Sequence, residues 1–148
     1  MKRDENLAPL SRDHHRGLVT AKILRYDELP EDDEETGVRD KMEHVQSYWD
    51  TDLFVHFENE NEILYPFVKG RDALLDKMLE RMKKEHIKIS GMVKNLESAA
   101  DFEKAIDNLG RAMEAHIRFE ERELFEKIQE LFTHEELSAL AGKFVSVK

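Results

Sequence analysis

Two pairs of residues carry the same chemistry sixty positions apart: His56 with Glu60, and His116 with Glu120. Four residues is close to one helical turn, so in each pair an imidazole and a carboxylate stack on one helix face and can share a metal ion. Mixed nitrogen and oxygen donors suit iron, manganese or zinc better than magnesium or calcium. A single His-x-x-x-Glu is common by chance in a charged helix, whereas two of them, each on an apolar seam, form a pattern. The repetition extends further. Residues 56–65 resemble residues 116–125, with histidine, glutamate, leucine and an aromatic recurring in register. Two more regions add imidazole, His14-His15 and His86. Two half-sites, each supplying His and His-x-x-x-Glu, fit two metals bridged by carboxylates.

Such residues need rods to aim them, and the chain is written for helices. It has only three prolines and six glycines, with charges of mixed sign. A first helix is expected over residues 10–29, capped by Ser11 and stopped by Pro30. The run Glu31 to Glu35 reads as a solvated loop, without the glycine and spacing of a calcium loop. A second helix is expected from near Val38, with the seam Met42, Val45, Trp49, Leu53, His56, Glu60, Leu64 and Phe67. Pro66 should bend or end it, and Gly70 should turn the chain. The third seam is Leu75, Leu79, Met82, His86, Ile89, Val93 and Leu96. The fourth is Phe102, Ile106, Leu109, Met113, His116, Glu120, Leu124 and Leu131. Thr133 with Glu136 spells a capping box for a short last helix. The expected fold is all-α: an up-down four-helix bundle with a short C-terminal fifth helix, in a single domain over residues 1–148.

Three of these seams hold ionisable residues where leucine is expected. Burying such groups costs several kcal/mol unless they are paired or bound to metal. A lone buried histidine is ordinarily a satisfied core residue. Intrusions on three helices, all near mid-length, would instead meet at one level of the bundle. On the first helix either His14 or His15 could join them. The seam through His14 continues as Leu10, Leu18, Ala21 and Leu24, while that through His15 meets Lys22 and Arg25. Periodicity therefore favours His14.

Composition narrows the alternatives. The chain lacks cysteine, which excludes disulfides, thiolate zinc sites and cysteine-ligated clusters. Its 33 acidic residues outnumber 23 basic ones for a net charge of -10, so a nucleic-acid partner is repelled. No run approaches the roughly 18 apolar residues of a membrane span, and the N-terminus has no signal-peptide core. A soluble, cytoplasmic protein is expected. No Ser–His–acid triad or glycine-rich phosphate loop occurs. His44 and His134 lie off the pattern and read as surface or cap residues. Trp49, Tyr65, Phe67 and Phe125 read as core, as do Met78, Met82 and Met113. Tyr26 and Tyr48 read as packing residues before hydrogen-bond donors to a small ligand.

The order His, His-x-x-x-Glu, His, His-x-x-x-Glu resembles the hemerythrin-like, HHE cation-binding family. The resemblance runs over about residues 7–131 and includes the opening Leu10-Ser11-Arg12-Asp13-His14-His15. It implies a centre of two iron ions joined by an oxo or hydroxo bridge. Glu60 and Glu120 would be bridging carboxylates, and His14 (or His15), His56, His86 and His116 terminal ligands. The chain departs from oxygen-carrying members. Those have a second histidine four residues from the one on the third helix, where this chain has Met82 and Ser90 around His86. Their last carboxylate lies five residues after its histidine, a position that Glu121 holds here beside Glu120. Simple oxygen carriage is therefore not the expectation. The leading reading is a module that binds or senses dioxygen, nitric oxide or iron. The alternatives are a di-iron enzyme (oxidase or peroxidase-like, nitric-oxide handling, iron–sulfur cluster repair) and a structural bundle with zinc or no metal. Iron should stabilise the fold, and should be lost below about pH 5 as free histidines protonate.

Overall fold

The computed structural model describes residues 2–25 and 34–145, with the backbone alone for residues 34–39. All regular structure among them is helical. Helix α1 spans Ala8–Leu24. The amides of Leu7 and Ala8 both bond the Asp4 carbonyl, and Pro9 sits in the first turn, where its missing N–H costs nothing. The helix thus starts before Ser11, which is not its cap; that hydroxyl bonds Glu121 instead. It also ends earlier than expected, at Arg25, whose backbone is extended. Tyr26, Pro30 and residues 31–33 of the acidic run lie outside the described residues, while Glu34 and Glu35 open the next helix.

Helix α2 (residues 34–68) is a chain of segments: Glu34–Tyr48, a wide π turn over Trp49–Leu53, Phe54–Asn59, a second π turn over Glu60–Leu64, and Tyr65–Val68. Pro66 does not end it. The Tyr65 amide reaches back to the Glu60 carbonyl across the wide turn, and the next residue is the proline, which has no N–H to place. The helix stops two residues later, where Lys69 is extended and Gly70 takes φ 95°. Helix α3 (Ala73–Lys94) is capped by Asp72, whose carboxylate accepts from the Leu75 amide at 3.0 Å. Helix α4 (residues 102–131) joins Phe102–Phe119, a π turn over Glu120–Leu124, and Phe125–Leu131. The capping box at Thr133 and Glu136 forms, and starts α5 (His134–Leu137).

The third seam is inward at every position from Leu75 to Leu96. The fourth departs at both ends. Phe102 is exposed, and beyond the π turn the core residues are Phe125 and Ile128, with Leu131 only partly buried. The extra residue in a π turn rotates all that follows, so a seam counted in steps of three and four loses register there. On α2 it is Tyr48 that is buried, while Trp49 packs from the side.

The apolar core has two parts. One gathers Leu7, Leu10, Leu64, Leu75, Leu79, Phe125 and Ile128 near α5. The other gathers Leu24, Val45, Leu53, Ile89, Ile106 and Leu109 toward the far end. Helices α1 and α4 press together through glycines. A Cβ on Gly110 would lie 2.8 Å from the Ala21 carbonyl, and one on Gly17 would lie 2.7 Å from Ile117 Cδ1. No described helix is long and apolar enough to cross a membrane.

Candidate metal centre

Between the two apolar parts lies a layer of ionisable side chains. His14 comes from α1, His56 and Glu60 from α2, His86 from α3, and His116 and Glu120 from α4; none is more than 3% exposed, and both glutamates are at 0%. The expected residues therefore meet at one level. His15 points to solvent. Glu121 is partly exposed and lies outside the layer, against the outer nitrogen of His14. His44 and His134 are on the surface, His134 paired with Asp4.

The glutamates sit at the centre. Glu60 Oε1 lies 3.2 Å from His56 Nε2 and 3.0 Å from His86 Nε2. Glu120 Oε1 lies 2.7 Å from His14 Nε2, and its Oε2 lies 3.2 Å from His116 Nε2. The donors form two groups that share both carboxylates: His14, His56, Glu60 and Glu120, and Glu60, His86, His116 and Glu120. Within each group one ligand atom per residue lies within 4.8 Å of all the others.

The hydrogen bonds test whether this layer suits a cation. The buried Nε2 atoms of His56, His86 and His116, both oxygens of Glu60 and Glu120 Oε2 have no hydrogen-bond partner. Each such atom costs about 1–3 kcal/mol when left unmet in the interior. By contrast, every outer imidazole nitrogen is engaged. His56 Nδ1 donates to Asp13 (2.9 Å), His116 Nδ1 to Glu85 (2.7 Å), His14 Nδ1 to Glu121 (2.8 Å) and His86 Nδ1 to the Asn61 side-chain oxygen (2.8 Å). An acceptor on Nδ1 fixes the proton there and leaves the Nε2 lone pair facing inward, which is how metal-bound histidines are held. The residues fit a cation.

Without one, the layer binds protons. Burial pushes His116 down, but the Glu120 carboxylate outweighs it and lifts the imidazole from 6.5 to about 10. His56, where burial is outweighed chiefly by Glu60, and His14, where it is outweighed by hydrogen bonds to Glu120 and Glu121, are raised as well. Burial pushes Glu121 up, yet its bonds to His14 and Ser11 bring it down to about 2.

Aromatic walls close the layer. Phe57 stacks on His86 with ring centres 4.0 Å apart, and Phe125 lies parallel to His14 at 5.6 Å. Ser90 bonds the His86 carbonyl, and Met82 is in the apolar core, so neither adds a donor at the positions flanking His86.

Sequence reasoning did not foresee Asp13, Asn61 and Glu85 as acceptors, and it weighed Glu121 only as an alternative last ligand, whereas it accepts from His14 Nδ1. A signal existed, since each is the immediate sequence neighbour of a layer residue. Periodicity does not say which imidazole each serves, however: Asp13 precedes His14 but bonds His56, and Glu85 precedes His86 but bonds His116. The π turns that begin at Glu60 and at Glu120 were also unforeseen.

Among known protein families, the model for the hemerythrin HHE cation binding domain aligns with residues 7–128. No curated protein and no solved structure matches the chain.

Proposed function

Because the chain belongs to the hemerythrin HHE cation-binding domain family, we propose that this metal-binding protein is a non-haem di-iron module that binds or senses dioxygen, nitric oxide or a similar small ligand. One observation carries the reading: a fully buried donor layer in which six inward atoms lack hydrogen-bond partners, His14 Nε2 and Glu120 Oε1 pairing only with each other, while every outer imidazole nitrogen has one. His14 and His56 would hold one iron, His86 and His116 the other, and Glu60 and Glu120 would serve both. Two imidazoles with carboxylate is the donor set of non-haem iron sites that keep open positions. Iron held there supplies a redox-active Lewis acid that can take a small exogenous ligand.

The chain's own residues do the rest. Asp13, Glu85, Glu121 and Asn61 orient the rings. Phe57 and Phe125 exclude water from two of them. The apolar core on either side keeps the layer dry, which strengthens every charge interaction within it. With no imidazole from positions 82 or 90, the iron at His86 and His116 would have fewer protein donors than its counterpart in an oxygen carrier.

The test is metal analysis of protein purified from iron-rich medium, followed by nitric oxide titration. Near two irons per chain and saturable uptake of nitric oxide without turnover are expected. Iron well below stoichiometric after aerobic loading would defeat the reading, and steady turnover of nitric oxide or peroxide would move it to an enzyme.

A further inference from the structure

The layer has approximate two-fold symmetry that exchanges α1 with α3 and α2 with α4. Under it His14 corresponds to His86, His56 to His116 and Glu60 to Glu120. The acceptors obey the same relation. Asp13 and Glu85 each precede a histidine on their own helix and bond the histidine of the next one. Asn61 and Glu121 each follow a central glutamate and bond the remaining histidines, His86 and His14. The surrounding arginines do not follow the two-fold, because Arg3 and Arg81 sit on acceptors that it does not exchange. Glu121 is tied to Arg3 at 2.8 Å and Glu85 to Arg81 at 2.9 Å, so each half holds one carboxylate already paired with a guanidinium. What remains is a charged Asp13 on one side and a neutral Asn61 on the other. Among the acceptors the symmetry is broken in chemistry at Asn61, an amide where its two-fold counterpart Glu121 is a carboxylate.

That difference acts on the metals. A carboxylate on Nδ1–H draws the proton and makes the imidazole a stronger donor at Nε2, whereas an amide oxygen does so less, and changes of such acceptors typically alter metal affinity 10–100-fold. We propose, resting on the two-metal reading above, that the two positions are unequal by construction: the His14/His56 position holds a divalent cation about 10–100-fold more tightly than the His86/His116 position, and Asn61 is the positioning residue that sets the gap. The ion at His86 and His116 is then the one that exchanges first.

Two binding steps in the parent chain do not separate the cases, because repulsion between two cations would produce them even in a symmetric site. Affinity is therefore read on chains with one position left. Cobalt(II) is titrated into metal-free His116→Ala, which keeps the His14/His56 position, and into His56→Ala, which keeps the His86/His116 position. Competition with a chromophoric chelator gives the constants, and circular dichroism checks the fold. His116→Ala should bind cobalt about 10–100-fold more tightly than His56→Ala. Adding Asn61→Asp to His56→Ala should recover most of that gap, and adding Glu121→Gln to His116→Ala should lose it from the other side. The glutamine arm decides the matter if the aspartate variant does not fold. Equal constants for the two single-position chains, or constants that ignore both acceptor changes, would overturn the inference while leaving two cobalt ions in the parent. Failure of the folded parent to take up cobalt at all would instead overturn the two-metal reading.

Discussion

The polar layer and the apolar parts of the core on either side are equally buried, yet they are stabilised in different ways. Leu79, Leu109 and Ile128 at 0% exposure are satisfied by contact alone. Glu60 and Glu120, also at 0%, are not: both oxygens of Glu60, one of Glu120 and the Nε2 atoms of His56, His86 and His116 lack hydrogen-bond partners. Apolar burial favours the fold whatever else is present, whereas buried ionisable atoms oppose it until a cation or protons satisfy them. The bundle therefore owes its fold to the outer parts of the core and its fitness for a cation to the middle.

The sharpest way to break this contrast is to injure each region separately. Leu79→Ala in the apolar part should cost about 2–5 kcal/mol, to similar extent with and without metal, and denaturant unfolding of both forms measures it. Replacing His56 and Glu60 together by leucine should leave the metal-free protein as stable or more so, by up to about 4 kcal/mol, while abolishing stoichiometric metal uptake. A metal-free double variant that unfolds at much lower denaturant would mean the layer is a structural part of the core after all.

Loading with metal should come next in size, raising stability by about 2.7 kcal/mol at a free-metal concentration one hundred times Kd. Equal thermal midpoints with and without iron would contradict it. Gly110→Ala tests the helix contact that brings His14 to Glu120. The obstacle is the Ala21 backbone carbonyl, which cannot swing aside, so a loss of about 1–3 kcal/mol is expected in a thermal melt.

The pH dependence should have opposite signs in the two forms. In the metal-free protein the raised histidines contribute stability that is complete below 6.5 and is lost as pH climbs through the His116 value of about 10. Lowered Glu121 contributes above 4.5 and loses its share as pH falls toward about 2. The layer thus helps the metal-free fold most between these limits. Metal must displace the same protons, so its affinity rises with pH. The gap between metal-loaded and metal-free melting temperatures should widen from pH 6.5 to about 9; a gap that narrows would refute the proton competition.

Much of this contrast was readable in the sequence. The steps of three and four that placed leucine on α3 from Leu75 to Leu96 also placed His86 among them, because one helical face is one face whatever it carries. The same argument chose His14 over His15 by its apolar companions. What periodicity did not carry was anything depending on a neighbouring helix. The acceptors Asp13, Asn61, Glu85 and Glu121 point across to other helices, and their pairing follows from bundle geometry. The inward turn of Phe125 and Ile128 depends on the π turn at Glu120, which no residue type announces. The start of α1 was misplaced because Ser11, a good cap by composition, is engaged by Glu121 and Arg3 from a distant part of the chain.

The central claim is tested most directly by anomalous scattering at the iron edge from crystals of the iron-loaded protein. The account predicts two peaks between Glu60 and Glu120, one flanked by His14 and His56 and the other by His86 and His116. Peaks bound elsewhere, or none inside the bundle, would contradict it.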